Sequence, residues 1–393
     1  MGIIYGTEGN DRILRDYLSD GVVTDPPDLD GTDPGHFNDI IYGYGGNDQI
    51  VLGYQSDIVD GGTGNDLIDA RPGGRPGFYL VLSGGPGNDL ILGSDGIDDL
   101  DGNYRDTVTD PAAGNDILIG GKGDDRYHVD SIWDVVVERE GEGDDTVFAD
   151  LQYYRLRSNF ENLSLLPDNA VGLGNEASNV MDAAAGGRLF GLGGDDFLFS
   201  YDGAILDGGD GNDIVQAFLG ENLLTGGRGD DWLEIFDSLD DSGQIVPFRD
   251  LLRGGDGVDT LFGAAGADCL IGGRGNDVFG YYSVTDSTGA GTDLIKAGDG
   301  APAFEGAGSA DGDRILLPQY AGITEDFTPI SLDFDEYIFG GTGKGHISLA
   351  DHGYDTIVRI DTDDEPGTDF QITIQDGATR AAQYTMDDFL SPF

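Results

Sequence analysis

The chain is 393 residues long and carries 75 acidic against 20 basic residues, a formal net charge of −55, together with 68 glycines. That charge argues against nucleic acid or an anionic membrane surface as a partner and for cations, while 38% hydrophobic residues, with 17 Tyr and 19 Phe, make the chain too apolar for a permanently disordered acidic polymer. The single cysteine, Cys269, argues against an intramolecular disulfide framework, and no apolar run approaches the length of a transmembrane helix.

A nine-residue period begins almost at once. Gly6-Thr7-Glu8-Gly9-Asn10-Asp11 is followed by Ile13, two residues after the aspartate. The stretch from Asp16 to Gly35, rich in Asp, Pro and Gly, reads as a loop thrown out from the repeat. Register resumes at Asp39, Asp48, Asp57 and Asp66, each nine residues after the last. The unit Leu52-Gly53-Tyr54-Gln55-Ser56 before Asp57 has lost most of its glycines, so a site there is expected to be weaker or unused. Arg71-Pro72-Gly73-Gly74-Arg75-Pro76 interrupts, and the step of 23 from Asp66 to Asp89 reads as a coil continued around a small bulged insertion. Asp89, Asp98, Asp116 and Asp125 follow, with Thr107 at the missing nine-residue mark, where a hydroxyl is a poor substitute for a carboxylate.

The unit is clearest in the second half, where Asp250, Asp259, Asp268 and Asp277 again stand nine apart and close runs such as Gly254-Gly255-Asp256-Gly257-Val258-Asp259. Glycines permit φ > 0 and a sharp turn that points carbonyls inward, and the aspartate adds a hard anionic oxygen to the same turn. Carbonyl and carboxylate oxygens without nitrogen or sulfur form a ligand set suited to calcium. The apolar residue two places after each aspartate (Leu261, Leu270, Phe279) implies a very short strand with one side chain facing inward. Two such units make one coil of a right-handed helix of parallel strands, with calcium between a turn and the turn eighteen residues later. Coils then stack about 4.8 Å apart with Ile50, Ile68, Ile91, Leu118, Val215, Leu233 and Leu261 inside.

This Gly-Gly-x-Gly-x-Asp-x-U-x unit, with U apolar, resembles the nonapeptide of RTX (hemolysin-type) proteins, whose repeats form calcium-filled parallel β-rolls. The resemblance implies an all-β, right-handed parallel β-roll and a set of metal ligands for several Ca²⁺ ions. On the aspartate side these are Asp11, Asp39, Asp48, Asp57, Asp66, Asp89, Asp98, Asp116, Asp125, Asp196, Asp213, Asp231, Asp250, Asp259, Asp268 and Asp277. On the glycine side they are Gly43, Gly45, Gly62, Gly64, Gly85, Gly87, Gly121, Gly123, Gly193, Gly209, Gly211, Gly227, Gly229, Gly255, Gly257, Gly273 and Gly275.

From Tyr127 to about Met181 the glycine–aspartate turns give way to alternating strands such as Asn162-Leu163-Ser164-Leu165, which are expected to continue the solenoid as metal-poor coils. A second block opens at Gly191-Leu192-Gly193-Gly194-Asp195-Asp196. Asn222 stands between Asp213 and Asp231, and the step of nineteen from Asp231 to Asp250 reads as two repeats plus one. After Phe279, Asp286-Ser287, Asp293-Leu294-Ile295 and Asp313-Arg314-Ile315-Leu316 resemble the region that follows the roll in serralysin-type secreted proteases. Residues 345–349, 354–360 and 370–374 alternate as antiparallel strands, a cap that protects the last coil from edge pairing. The tail Tyr384-Thr385-Met386-Asp387-Asp388-Phe389-Leu390 resembles an uncleaved type I secretion signal. Four segments are therefore expected: a first roll block over 1–126, a metal-poor continuation over 127–181, a second roll block over 182–280, and a cap with the secretion signal over 281–393.

Catalytic motifs are not found. The four histidines are scattered without His-Glu-x-x-His, and there is neither a Gly-x-Ser-x-Gly elbow nor a phosphate loop. Paired carboxylates suited to glycosidase work are expected by chance among 75 acids. The N-terminus lacks a basic-then-apolar signal peptide. The expectation is a non-enzymatic calcium-binding protein, secreted by type I machinery without a cleaved signal and structural or adhesive at the cell surface or matrix, with glycans or like subunits as further partners. The alternative is a glycan-modifying enzyme or accessory with a site in the insertions or cap.

Overall fold

The structure is a computed structural model and describes residues 3–14, 17–18, 23–25, 39–52, 56–71, 77–103, 114–236, 245–283, 286–288, 291–298, 301–305, 312–317, 330–332, 336–339, 346–361, 370–377, 381–384 and 388–390. The chain is all-β and divides into two compact units, Met1–Ala170 and Val171–Phe393. No helix among the described residues is long and apolar enough to cross a membrane.

In the first unit most strands are three to five residues long, too short to persist alone, and each is held by parallel neighbours from the coils before and after. One ladder runs Arg12–Leu14, Gln49–Val51, Leu67–Asp69, Leu90–Leu92, Ile117–Ile119 and Val135–Val137, stacking Ile13, Ile50, Ile68, Ile91, Leu118 and Val136 in one interior column. The other stacks Ile4, Ile41, Val59, Leu82, Leu100, Tyr127, Val147 and Leu163. All of these side chains are buried. One apolar residue of each half-coil falls in these columns, backed by further buried side chains such as Leu52, Leu80, Val129, Phe160 and Leu165. The coil continues across the long step after Asp66 as expected, because Leu67–Asp69 pairs directly with Leu90–Leu92; residues 72–76 of the expected bulge lie outside the described residues.

Two expectations need correction. The Asp16 to Gly35 segment is not simply a loop: Tyr17–Leu18 pairs antiparallel with Arg12–Leu14, and Val23–Asp25 pairs antiparallel with Ile3–Tyr5, covering backbone that would otherwise be an open edge. The count of nine through Thr107 does not carry into the ladder, since Leu90–Leu92 pairs directly with Ile117–Ile119, 27 residues on; Thr107 itself lies outside the described residues.

The second unit repeats the plan. Met181, Leu198, Val215, Leu233, Leu261, Phe279, Ile315 and Phe389 form one buried column, and Leu189, Leu206, Leu224, Leu252 and Leu270 the other. Trp232–Ile235 pairs with Thr260–Phe262, so the nineteen-residue step is a single enlarged half-coil and not two repeats plus one. Phe370–Gln375 joins the roll in parallel with Asp293–Lys296, and Asp355–Asp361, His346–His352, Glu336–Phe339 and Ile330–Leu332 follow antiparallel, which is the expected cap. Phe389–Leu390 of the tail returns to pair with Arg314–Leu316 as a further rung.

Candidate metal centres

Most turn-closing aspartates use one carboxylate oxygen to hold the coil before them. In the first unit, the backbone N–H of Asp11 donates to Asp48 Oδ1 (2.7 Å), Asp48 to Asp66 (2.7 Å), Asp66 to Asp89 (2.7 Å), Asp89 to Asp116 (2.8 Å) and Asp116 to Asp134 (3.0 Å). A second column runs from Asp39 to Asp57 (2.9 Å) and is then broken, because Leu80 stands at that register. It resumes with Asp98 to Asp125, Asp125 to Asp145 and Asp145 to Glu161 Oε2, all at 2.8 Å. The glycine-poor unit before Asp57 therefore stands at the edge of this gap in the hydrogen-bonded column.

In the second unit one column links Asn179, Asp196, Asp213, Asp231, Asp259, Asp277 and Asp313 at 2.7–3.0 Å. The other links Ala204, Asn222, Asp250, Asp268 and Asp293 at 2.7–2.9 Å.

The second carboxylate oxygen carries the chemistry. Oδ2 of Asp48, Asp57, Asp66, Asp89, Asp125, Asp196, Asp213, Asp231, Asp259, Asp268 and Asp277 is buried and has no hydrogen-bond partner in the protein. A buried carboxylate oxygen without a donor is costly unless something positive faces it. An oxygen-only environment repeated at each turn fits a hard divalent cation. Asp11, Asp98 and Asp116 differ, because their Oδ2 atoms accept from the Thr7 N–H, the Ser94 N–H and the Asn103 amide.

Asn222 reveals what these turns are shaped to hold. Its Nδ2 donates to the carbonyls of Leu219 (3.1 Å) and Gly220 (3.0 Å) and to Asp250 Oδ1 (3.0 Å). Carbonyl and carboxylate oxygens therefore converge around a positively polarised group supplied by the chain.

The aspartates are also strongly perturbed. Burial, reinforced by neighbouring aspartates and opposed by the backbone N–H bonds, pushes Asp89 and Asp259 up to about 8, Asp231 to about 7, and Asp48 to about 6. Asp268 is raised to about 9 by burial and then by the charge of Asp293, which burial itself holds far above the ordinary carboxylate range. A fold that gathers anions so closely favours their charged form only when a cation shares the site.

The glycines make the stacking possible. At Gly275, φ is 140° and a Cβ would lie 1.6 Å from the Gly257 carbonyl oxygen. The same relation places Gly64 on Gly46 and Gly87 on Gly64. Gly62, Gly85, Gly121, Gly123, Gly209, Gly211, Gly227, Gly229, Gly255, Gly257 and Gly273 likewise have positive φ. Two turns are offset from the expected reading: the left-handed positions are Tyr44 and Gly46, not Gly43 and Gly45, and Leu192 and Gly194, not Gly193.

Asp134, Asp145, Glu161, Asp293 and Asp313 join the columns although the repeat pattern does not mark them. Their signal is the acid followed two residues later by a buried apolar residue: Val136, Val147, Leu163, Ile295 and Ile315. The expectation of metal-poor coils after Tyr127 rested on glycine content, and the rungs outlast the glycines.

The chain matches the family model described as RTX calcium-binding nonapeptide repeat (4 copies) at residues 35–68, 81–103, 112–131, 205–233 and 247–279. It is also similar to an endo-1,3-1,4-beta-glycanase, ExsH, of Rhizobium meliloti (strain 1021), 39% identical over 69 residues. That similarity covers 18% of this chain and 15% of the glycanase. The matched segments coincide with the turns just described, and both units are accordingly built on RTX calcium-binding repeats, which bind Ca²⁺ ions in their turns.

Proposed function

We propose that the chain is a secreted β-roll that folds when it meets extracellular calcium and serves as a structural or adhesive element at the cell surface or matrix. The unpartnered Oδ2 atoms in successive turns carry this reading, with the aspartates of the two columns and the turn carbonyls as ligands. Ion-free, the carboxylates repel and the glycines make order entropically costly, so the chain stays expanded, which suits export through a narrow type I channel. Calcium at the roughly 10⁻⁴ to 10⁻³ M affinities of extracellular modules then converts binding free energy into folding free energy. Circular dichroism with and without calcium is the test: an ordered β spectrum that persists in excess chelator would sink the reading.

A second reading, a glycan-modifying enzyme or accessory, draws on the glycanase similarity. It is favoured by a file of aromatic rings on the second unit, Tyr201, Phe218 and Phe236, stacked at 5.2 and 4.8 Å with Tyr201 exposed. Release of reducing ends from a mixed 1,3-1,4-β-glucan would support it. Calcium-dependent self-association by light scattering, without such release, supports the first.

A further inference from the structure

The turn that follows Val135–Val137 breaks the rule of the turns before it. In register, Ile119 stands beside Val137, so Glu138 occupies the place that Gly120 holds one coil earlier. Elsewhere that place belongs to glycine for a steric reason: a Cβ at Gly208, Gly226 or Gly272 would lie 2.1–2.3 Å from the Oδ2 of that turn's own aspartate. From Gly120 to Asp125 the chain takes five steps, whereas from Glu138 to Asp145 it takes seven. The longer turn makes room for a side chain, and that side chain is a carboxylate.

Glu138, Asp125 and Asp145 each bring a carboxylate oxygen within 4.8 Å of the other two. All three residues are more than nine-tenths buried. Tyr127, itself buried, accepts the Gly120 N–H and donates its hydroxyl to Glu138 Oε1, which fixes the carboxylate. Asp145 Oδ1 accepts the Asp125 N–H. Glu138 Oε2 and Asp125 Oδ2 are left buried without any donor in the protein. A buried trio of acids in which two oxygens face no hydrogen is stable when a cation lies among them. Burial raises all three, Asp125 to about 9, Asp145 to about 8 and Glu138 to about 7, in accord with that geometry.

We infer that Asp125, Glu138 and Asp145 form a tricarboxylate calcium site at the end of the first repeat run, tighter than the sites of the glycine turns. This rests on the calcium reading above and adds to it a residue, Glu138, outside the nonapeptide pattern. Affinity in oxygen-ligand sites rises with the number of charged ligands, so an extra carboxylate selects this site as the last to release its ion.

The test uses the full chain, calcium-loaded and then dialysed against a buffer holding free calcium at about 10⁻⁶ M, well below the range of extracellular modules, with bound calcium counted by atomic emission. The wild type is expected to keep about one ion per chain. Glu138→Gln should retain at least roughly tenfold less. Glu140→Gln, the same change at an exposed residue outside the trio and the columns, should retain as much as the wild type. Equal retention by Glu138→Gln and wild type, or none by the wild type, overturns the proposal while leaving millimolar binding intact. Loss of binding even at millimolar calcium would instead overturn the calcium reading itself. If Glu138→Gln does not order in excess calcium, the anomalous map of calcium-loaded wild-type crystals decides: a peak about 2.3–2.6 Å from a Glu138 oxygen supports the site, and its absence beside peaks in other turns sinks it.

Discussion

The backbone N–H of Asp231 donates to Asp259 Oδ1 at 2.9 Å, although 28 residues separate them. The neighbouring bond from Asp259 to Asp277 spans only 18. The same bond closes coils of different length, so the rung is the constant of this architecture and the chain between rungs is free to vary. An asparagine keeps a rung, since Asn222 Oδ1 accepts the Ala204 N–H at 2.9 Å. Asp259→Asn is therefore expected to preserve the β spectrum in excess calcium while raising the calcium midpoint, on the order of tenfold for the affected sites. Asp259→Ala also strands the Asp231 N–H and should lose a further 1–3 kcal/mol or so in urea unfolding. Calcium titrations that do not separate the two variants would show that charge at this position does not bind the ion.

Acidity should replace calcium in part. Asp89, Asp125 and Asp259 have folded-state values of about 8 to 9, raised mainly by burial, against 3.8 ordinarily. Groups raised on folding bind more protons in the ion-free roll than in the unfolded chain, so their stabilisation is fully present below the ordinary value of 3.8 and is lost as pH climbs through the folded values. In chelator, β structure is expected to appear on acidification toward pH 4 and to disappear between there and pH 9. With saturating calcium the dependence reverses, since protons and the ion compete for the same oxygens. A chelated chain whose spectrum stays flat across that range would contradict it.

The nine-residue spacing made the interior legible, because Leu261, Leu270 and Phe279 follow their aspartates by two residues and all are fully buried. Alternation, strict in residues 370–375, gave the antiparallel cap. Counting failed where half-coils lengthen: Asp89 meets Asp116 across 27 residues and Asp277 meets Asp313 across 36. A short insertion such as that between Asp66 and Asp89 still shows in the count, but a long one is confused with whole repeats, because a backbone rung depends on position in the ladder and not on separation along the chain. Glu138 stayed hidden for a related reason. It sits at a glycine's place, and only the register of Val137 against Ile119 shows it.

Asn222 offers a gain of function. Its amide donates to the Leu219 and Gly220 carbonyls and to Asp250, and replacing that donor by a carboxylate leaves a cluster of acceptors. Asn222→Asp is expected to add about one calcium ion per chain and to make the Leu223–Arg228 coil dependent on calcium where it is now held by the amide. Hydrogen exchange along Leu223–Arg228, compared with and without chelator, reads this out. Protection there that is unchanged by calcium in the variant would mean that the carbonyls do not close on an ion.

Backbone contact between turns sets how little the roll tolerates a side chain. Gly275 combines φ of 140° with a would-be Cβ 1.6 Å from the Gly257 carbonyl oxygen, whereas Gly141 has φ of 73° and nothing within 4 Å. Gly141→Ala bears only the cost of a left-handed residue, about 1–2 kcal/mol. Gly275→Ala must in addition move one turn off the next, adding roughly 1–3 kcal/mol of strain and displacing the carbonyls that face the cation. The two variants should therefore separate in urea unfolding at fixed calcium, and only Gly275→Ala should shift the calcium midpoint. Equal midpoints for both would mean that the turns move apart without disturbing the site, and that glycine here serves the chain's path and not its ligands.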